Sequence, residues 1–173
     1  MKKRQKTPTE LFDIDAFLKE SEVARDQFPY DTASSHYESE NYPKDLPPSA
    51  ARTHIGMYLG WAIETGLVSD NLSNQSGEMI TKFLKGEIMP SEILRLYCND
   101  ELTKDHLNAQ GNAFTKQYYW VGWKYSYSKD YDQLAGWPDV SCCFYLNDTN
   151  ENYKLVKAML DKRYAEWKQE QNL

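Results

Sequence analysis

The most constraining feature of the sequence is one apolar segment, THIGMYLGWAIETGL, which occupies residues 53–67. With successive side chains about 100° apart, apolar groups cover nearly the whole circumference of a helix, and only a narrow stripe with Thr53 and Glu64 is polar. A helix that is apolar all round is typically buried. The segment is shorter than the roughly 20 residues that cross a bilayer. We therefore expect a central helix over residues 49–65, which begins after two prolines and ends before Gly66.

Two glycines, Gly56 and Gly60, lie one helical turn apart within this segment. Each costs about 1 kcal/mol relative to alanine in a helix interior, and close approach of another backbone or ring can offset that cost. We interpret both glycines, which fall on the side of the helix beside Ile63, as clearance for a packed neighbour, and Trp61 as a packing residue on another face. His54, near the start of the helix, is expected to link it to the preceding loop through a ring nitrogen.

Helical spacing of apolar residues recurs along the rest of the chain. The TPTE sequence predicts the start of a helix over residues 8–23. Two short helices are expected before residue 98, then a long helix over 109–131 and a final helix in which Asp148 and Glu151 form a capping pair. The β-prone VSCCFYLN segment predicts either a lone strand or an extended connector.

These elements predict a mainly α-helical protein. We expect a single-domain irregular helical bundle with a long ordered N-terminal loop and at most one or two short strands. Residues 1–6 would be a basic flexible tip, 7–28 an N-terminal helix, 29–48 the ordered loop, and 49–173 the helical core. The loop carries several prolines and no hydrophobic period. Its tyrosine and histidine rings are unusual for a disordered linker, so we expect the loop to be ordered and to pack on the domain.

The charge distribution bears on the kind of partner. The formal net charge is -6, and residues 7–45 carry ten acidic against three basic side chains. This acidic excess argues against nucleic acid, which requires a basic face, and favours a basic protein partner. The predicted contact residues in the loop are Asp31, His36, Tyr37, Glu38 and Asp45.

The sequence contains no specific catalytic or metal-binding motif. His36 and His54 could meet in space and, with Asp31 or Glu38, form a metal site or an acid–base pair. Zinc sites, however, usually show two histidines three to five residues apart, so we predict neither a metal nor another cofactor. No secretion signal or membrane span is evident. The three cysteines are therefore expected to be reduced thiols of a cytoplasmic protein.

Several stretches carry a family resemblance: YDTASSHY, YPKDLPPSAARTHIGMYLGWAIETGLVS, GNAF and NDTNENYKLVKAMLDKRYAEW. Together they resemble an uncharacterised bacterial family with YDxASxHY, DLPP, THIGM-x-L-x-WAI and DTxENY…AEW motifs. The resemblance covers roughly residues 30–167. It implies no catalytic residues, because the family has no established activity. Small bacterial proteins of this kind are similar to the immunity or accessory proteins that accompany secreted toxins.

The leading functional hypothesis is a cytoplasmic protein-binding domain, of the immunity-protein type, that neutralises a bacterial toxin or effector through acidic and aromatic contacts. One alternative is a small hydrolase-like enzyme whose pocket lies around Asp31, His36 and His54. Another is a structural assembly subunit. Neither nucleic acid nor a membrane is expected as a partner.

Overall fold

The computed structural model describes residues 28–121, 124–136 and 142–173. The predicted basic tip and the predicted helix over residues 8–23 lie outside these ranges. In chain order the elements are β1 (Asp31–Thr32), α1 (Ala33–Tyr37), α2 (Thr53–Glu64), α3 (Asp70–Leu84), α4 (Pro90–Tyr97), β2 (Glu101–Leu102), α5 (Ala109–Thr115), α6 (Tyr127–Leu134) and α7 (Asn150–Gln171). Three 3₁₀ turns, at Pro48–Arg52, Lys104–His106 and Cys142–Tyr145, and a π-helical segment, Lys116–Val121, join them. The mainly helical fold class is confirmed.

The two short strands form an antiparallel pair. Asp31 lies opposite Leu102, and Thr32 lies opposite Glu101. This pairing joins the start of the 29–48 loop to a segment 70 residues further along the chain. It also fixes the direction in which α1 leaves β1, because α1 begins at the next residue.

Helix α2 is the centre of the core. Its apolar side chains from Ile55 to Ala62 are almost completely inaccessible to solvent, and it packs against α4 on one side and α7 on another. Trp61 packs edge-on to Tyr164 of α7 and donates its indole N–H to Asp161, 2.9 Å away. Burial of this helix on nearly every side follows from the apolar circumference of its sequence.

The N-terminal end of α4 lies directly against the two glycines of α2. A β-carbon built on Gly56 would lie 2.6 Å from the Cα of Ser91, and one built on Gly60 would lie 2.6 Å from the Cβ of Pro90. Both distances are far below van der Waals contact. The close packing of α2 on α4 therefore depends on the absence of side chains at residues 56 and 60.

The expectation of one long helix over residues 109–131 was wrong. Helix α5 ends at Thr115, the π-helical segment follows, and α6 begins at Tyr127 after an extended Ser126. Two consecutive tyrosines of this segment donate to acids: Tyr118 to the buried Asp130 and Tyr119 to the half-buried Asp31. A wider turn changes side-chain direction in this way where a regular helix keeps a fixed period.

Two other local expectations are corrected. Residues Cys142–Tyr145 form a 3₁₀ turn rather than a strand or an extended connector. In this turn Phe144 packs against Tyr42, with ring centroids 5.0 Å apart, while Tyr145 stays exposed. Helix α7 is capped by Thr149, whose hydroxyl accepts from the Asn152 N–H. Asp148 instead accepts a hydrogen bond from Ser91.

The segment over residues 29–48 contains more regular structure than a loop, because it includes β1 and α1. Its second half is anchored by Tyr42, which is buried and donates its hydroxyl to the Pro47 carbonyl oxygen. Across the described ranges, no helix combines the length and apolar character needed to cross a membrane.

Candidate functional site

The carboxylate of Asp31, whose side chain is 12% exposed, is the centre of a polar cluster at the edge of the core. Its Oδ1 accepts from the Thr32 backbone N–H at 2.8 Å and lies 2.7 Å from His36 Nε2. Its Oδ2 accepts from the Tyr119 hydroxyl at 2.5 Å and lies 3.1 Å from His54 Nε2. We call Asp31, His36, His54 and Tyr119 the Asp31 cluster. The four contacts fill the roughly four acceptor positions of a carboxylate.

Four different elements supply these side chains. Asp31 lies on β1, His36 on α1 one turn later, His54 at the start of α2, and Tyr119 in the π-helical segment. The β1–β2 pairing sets the position of Asp31. Tyr119, within the π-helical segment, donates its hydroxyl to this carboxylate.

The surroundings keep Asp31 ionised and Tyr119 protonated. Burial alone would raise the pKa of Asp31, but the hydrogen bonds from His36 and His54 outweigh it and hold that pKa well below its usual range. Burial, reinforced by the charge of Asp31, raises the pKa of Tyr119 well above its ordinary value. At neutral pH the phenol is therefore a hydrogen-bond donor to a charged carboxylate.

A cavity of about 220 Å³ adjoins the cluster. Besides the cluster residues, its walls are formed by Tyr127, Ser128, Tyr131, Asp132, Cys143 and Phe144. The side chain of His36 is 29% exposed, whereas that of His54 is 12% exposed. His36 is thus the more accessible of the two imidazoles.

One wall of the cavity carries an unpaired polar group. The Tyr131 hydroxyl is buried, its residue is 1% exposed, and no residue within the described ranges forms a hydrogen bond with it. A buried polar group without a partner costs roughly 1–3 kcal/mol.

The thiol in the cavity wall is not a nucleophile in its present surroundings. Burial and the neighbouring carboxylate of Asp132 raise the pKa of Cys143 to about 12. Burial likewise raises the pKa of Asp132. Because the thiolate is the reactive form, a cysteine with this pKa is unreactive at neutral pH.

The structure divides the five predicted contact residues between two places. Asp31 and His36 lie in the Asp31 cluster. Tyr37, which is 38% exposed, and Glu38 and Asp45 lie on the surface. Asp45 accepts a hydrogen bond from the exposed hydroxyl of Tyr145.

The cluster brings together Asp31, His36 and His54, which the sequence suggested as a possible metal site or acid–base group. His54 reaches the 29–48 segment through Nε2, the ring nitrogen that faces Asp31. Sequence reasoning missed Tyr119 and Tyr131. Both belong to stretches rich in tyrosine, and no spacing in the sequence distinguishes them from the tyrosines that only pack in the core.

Three of the cluster residues could hold a metal ion. Asp31, His36 and His54 each offer one ligand atom, and these atoms all lie within 4.8 Å of one another. The fold brings these three ligand positions together, although five residues separate the first two in the sequence and eighteen separate the last two.

Comparison with known proteins gives a family. A family model described as a domain of unknown function, DUF7832, matches residues 29–145, which is more than half of the chain. The chain belongs to the DUF7832 family. No curated protein and no solved structure matches it. The matched DUF7832 range includes every residue of the Asp31 cluster and of the cavity walls, whereas α7 lies beyond it.

Proposed function

We propose that this DUF7832 protein is a small hydrolase-like enzyme that binds its substrate in the cavity beside the Asp31 cluster. The observation that carries the proposal is the convergence of two imidazoles and a phenol on one carboxylate at the edge of a cavity. Titratable groups that converge on a cavity are candidates for catalytic chemistry.

The proposed reaction begins with a water molecule at the cluster. The His36 imidazole, the more exposed of the two, accepts a proton from this water, and the water oxygen attacks the electrophilic atom of the substrate. The bond to the leaving group then breaks, and the leaving group takes the proton from the imidazole. Cys143 has no nucleophilic role in this scheme, because its raised pKa keeps the thiol protonated.

Hydrolysis of a panel of chromogenic carboxylic esters, phosphate esters and amides tests this proposal. We expect His36→Ala and His54→Ala each to lower the rate by roughly 100-fold or more, the usual contribution of a positioned proton-transfer group. His106→Ala is the matched control, because His106 is the remaining histidine of the chain and lies in a separate 3₁₀ turn. The melting temperature of each variant separates lost chemistry from lost folding.

Two results would contradict the enzyme proposal. One is the absence of turnover by the wild-type protein across the whole panel. The other is wild-type turnover by well-folded His36→Ala and His54→Ala proteins.

A second candidate function is binding of a basic protein partner, as a cytoplasmic immunity protein that neutralises a toxin. The supporting observation is that Tyr37, Glu38 and Asp45 are exposed on a segment anchored by the buried ring of Tyr42. An anchored segment loses little conformational entropy when it binds. Acidic side chains on it would speed encounter with a basic surface.

Co-expression with the product of the neighbouring gene, followed by pull-down, tests this second function. Glu38→Lys and Asp45→Lys should each weaken a complex with a basic partner, whereas Glu78→Lys, an equal charge reversal on α3, should not. A neighbouring product that is neither toxic nor retained would count against the immunity role. Equal weakening by all three variants would indicate a nonspecific effect of net charge and would also contradict it.

A further inference from the structure

We propose that Asp31, His36 and His54 bind one divalent transition-metal ion of the zinc type, with a coordination position open to the cavity. The proposal deepens the hydrolytic function, because the ion is the group that would activate the water molecule. Its catalytic role rests on that function, whereas ion binding itself can be measured independently.

The donor set matches this class of ion. Two imidazole nitrogens and one carboxylate oxygen are typical of zinc and of non-haem iron sites, whereas calcium and magnesium prefer oxygen ligands alone. Three protein ligands also leave a tetrahedral ion with a vacant position. Catalytic zinc sites keep such a position for water or substrate, while structural sites are closed by four protein ligands.

The distances allow an ion after local rearrangement. Ligands about 2.1 Å from a tetrahedral zinc ion are roughly 3.4 Å from one another. The Asp31 oxygens lie 2.7 Å from His36 Nε2 and 3.1 Å from His54 Nε2, and all three residues offer ligand atoms within 4.8 Å of one another. Surrounding an ion would lengthen the two Asp31 contacts by about 0.7 and 0.3 Å and would bring the farthest pair of ligand atoms closer by up to about 1.4 Å.

Both histidines present the same atom, Nε2, to the carboxylate. An ion placed among the three groups takes the place of the imidazole N–H hydrogens, so the rings keep their orientation. The Thr32 backbone N–H and the Tyr119 hydroxyl would still donate to the Asp31 carboxylate. Outer hydrogen bonds of this kind orient a ligand and support metal affinity.

The cavity beside the cluster gives such an ion an open side. Its walls include Tyr131, a residue that is 1% exposed and whose hydroxyl has no hydrogen-bond partner among the residues that the structure describes. A water molecule bound to the ion, or a substrate that replaces it, would be held in this cavity. The ion would also lower the pKa of its bound water to about 7, which supplies hydroxide at neutral pH.

The test uses the full chain, purified without a histidine tag and stripped of metal with a chelator. Calorimetric titration with Zn²⁺ should give one ion per chain, and titration with Co²⁺ should give the visible absorption bands of a site with low coordination number. We expect His36→Ala and His54→Ala to lower Zn²⁺ affinity by more than about 100-fold and to abolish the Co²⁺ bands. Tyr119→Phe keeps all three ligands and removes an outer hydrogen bond, so a loss of about 10- to 100-fold is expected.

His106→Ala should bind both ions like the wild-type protein. Asp31→Asn, which keeps the shape of the side chain and removes its charge, provides a second ligand variant if an alanine variant fails to fold. The metal proposal is overturned if the wild-type protein takes up no ion. It is also overturned if folded ligand variants bind Zn²⁺ as tightly as wild type.

The metal proposal and the enzyme proposal can fail separately. Hydrolysis that persists unchanged after chelation would overturn the catalytic role of the ion and leave the enzyme proposal standing. Stoichiometric metal binding without hydrolysis of any substrate in the panel would overturn the enzyme proposal and leave the metal site standing.

Discussion

At the scale of the residue, Tyr131 shows how one unpaired group connects stability with function. Its buried hydroxyl has no partner among the described residues. Tyr131→Phe removes that group and keeps the ring that packs beside Tyr127, whose centroid is 5.6 Å away. We expect the variant to be as stable as wild type or more stable by up to about 1–3 kcal/mol, the cost of an unsatisfied buried group.

Tyr131→Phe should also weaken the binding of any ligand that forms a hydrogen bond with the hydroxyl. Chemical denaturation measures the stability, and thermal shift with a hydrolysable substrate or product measures the binding. Tyr127→Phe is the contrasting control, because the Tyr127 hydroxyl donates to the His54 carbonyl oxygen at 2.7 Å. Removal of that bond should destabilise the protein. A Tyr131→Phe protein as unstable as Tyr127→Phe would mean that the Tyr131 hydroxyl has a partner in solution.

At the scale of the element, the contact between α2 and α4 makes Gly56 sensitive to substitution. A methyl group at Gly56 would meet the Ser91 backbone at 2.6 Å, and backbone cannot move aside as a flexible side chain can. We expect Gly56→Ala to destabilise the protein by more than about 1–3 kcal/mol, the usual range for overpacking a core.

Gly77 of α3 is the matched control for this prediction. It also lies within a helix, but a β-carbon there would meet nothing within 4 Å. Gly77→Ala should therefore stabilise the protein by up to about 1 kcal/mol through helix propensity. Urea unfolding of both variants measures the difference. Equal effects from the two substitutions would show that propensity, rather than contact with α4, dominates at Gly56.

The pairing of α6 with α7 predicts a dependence of stability on pH. Asp130 accepts two hydrogen bonds from the Arg163 guanidinium, at 2.7 and 2.9 Å, and one from Tyr118. Burial opposes ionisation of Asp130, but these bonds outweigh it and lower its pKa. A carboxyl group with a lowered folded-state pKa stabilises the protein above its unfolded pKa, near 3.9, and this contribution is lost as the pH falls through the folded-state value.

We therefore expect Asp130→Asn to destabilise the protein by at least about 1.5–3 kcal/mol at pH 7, the range for hydrogen bonds to charged groups. The difference from wild type should shrink below pH 4. Glu170→Gln, which changes an exposed acid of α7 with only a distant ion pair, should have little effect at either pH. Urea unfolding at several pH values measures both variants. A difference that stays constant as the pH falls would contradict the role of Asp130 ionisation.

At the scale of the whole molecule, local pattern and long-range geometry determine different parts of the structure. The apolar circumference of residues 53–65 is a local property, and it predicts both the existence and the burial of α2. The Asp31 cluster depends on pairing between β1 and β2 across 70 residues and on the π-helical turn that directs Tyr119. Neither the strand pairing nor the π-helical turn leaves a periodic signal in the sequence. The sequence could therefore suggest that Asp31, His36 and His54 meet, but it could not predict that Tyr119 joins them or that a cavity lies beside them.

The family match ends at residue 145, yet the fold extends beyond it. Helix α7 buries Tyr153, Val156, Leu160, Tyr164 and Trp167. It also accepts the indole N–H of Trp61 through Asp161 and donates the Tyr153 hydroxyl to Glu64 of α2. Burial of a large apolar side chain contributes about 1.5–3 kcal/mol. Five such residues together match the roughly 5–15 kcal/mol that stabilises a typical domain.

We therefore expect a chain that ends at Thr149 to lose cooperative thermal unfolding, because the absence of α7 exposes one side of α2. Removal of only Asn172 and Leu173, which are exposed, should leave the melting temperature unchanged. Circular dichroism and calorimetry distinguish the two cases. A sharp transition in the chain that ends at Thr149 would show that the DUF7832 range folds without α7, and the Asp31 cluster could then be studied in that shorter chain. If the shorter chain shows no sharp transition, α7 is required for the integrity of the cavity, although no residue of α7 lines the cavity.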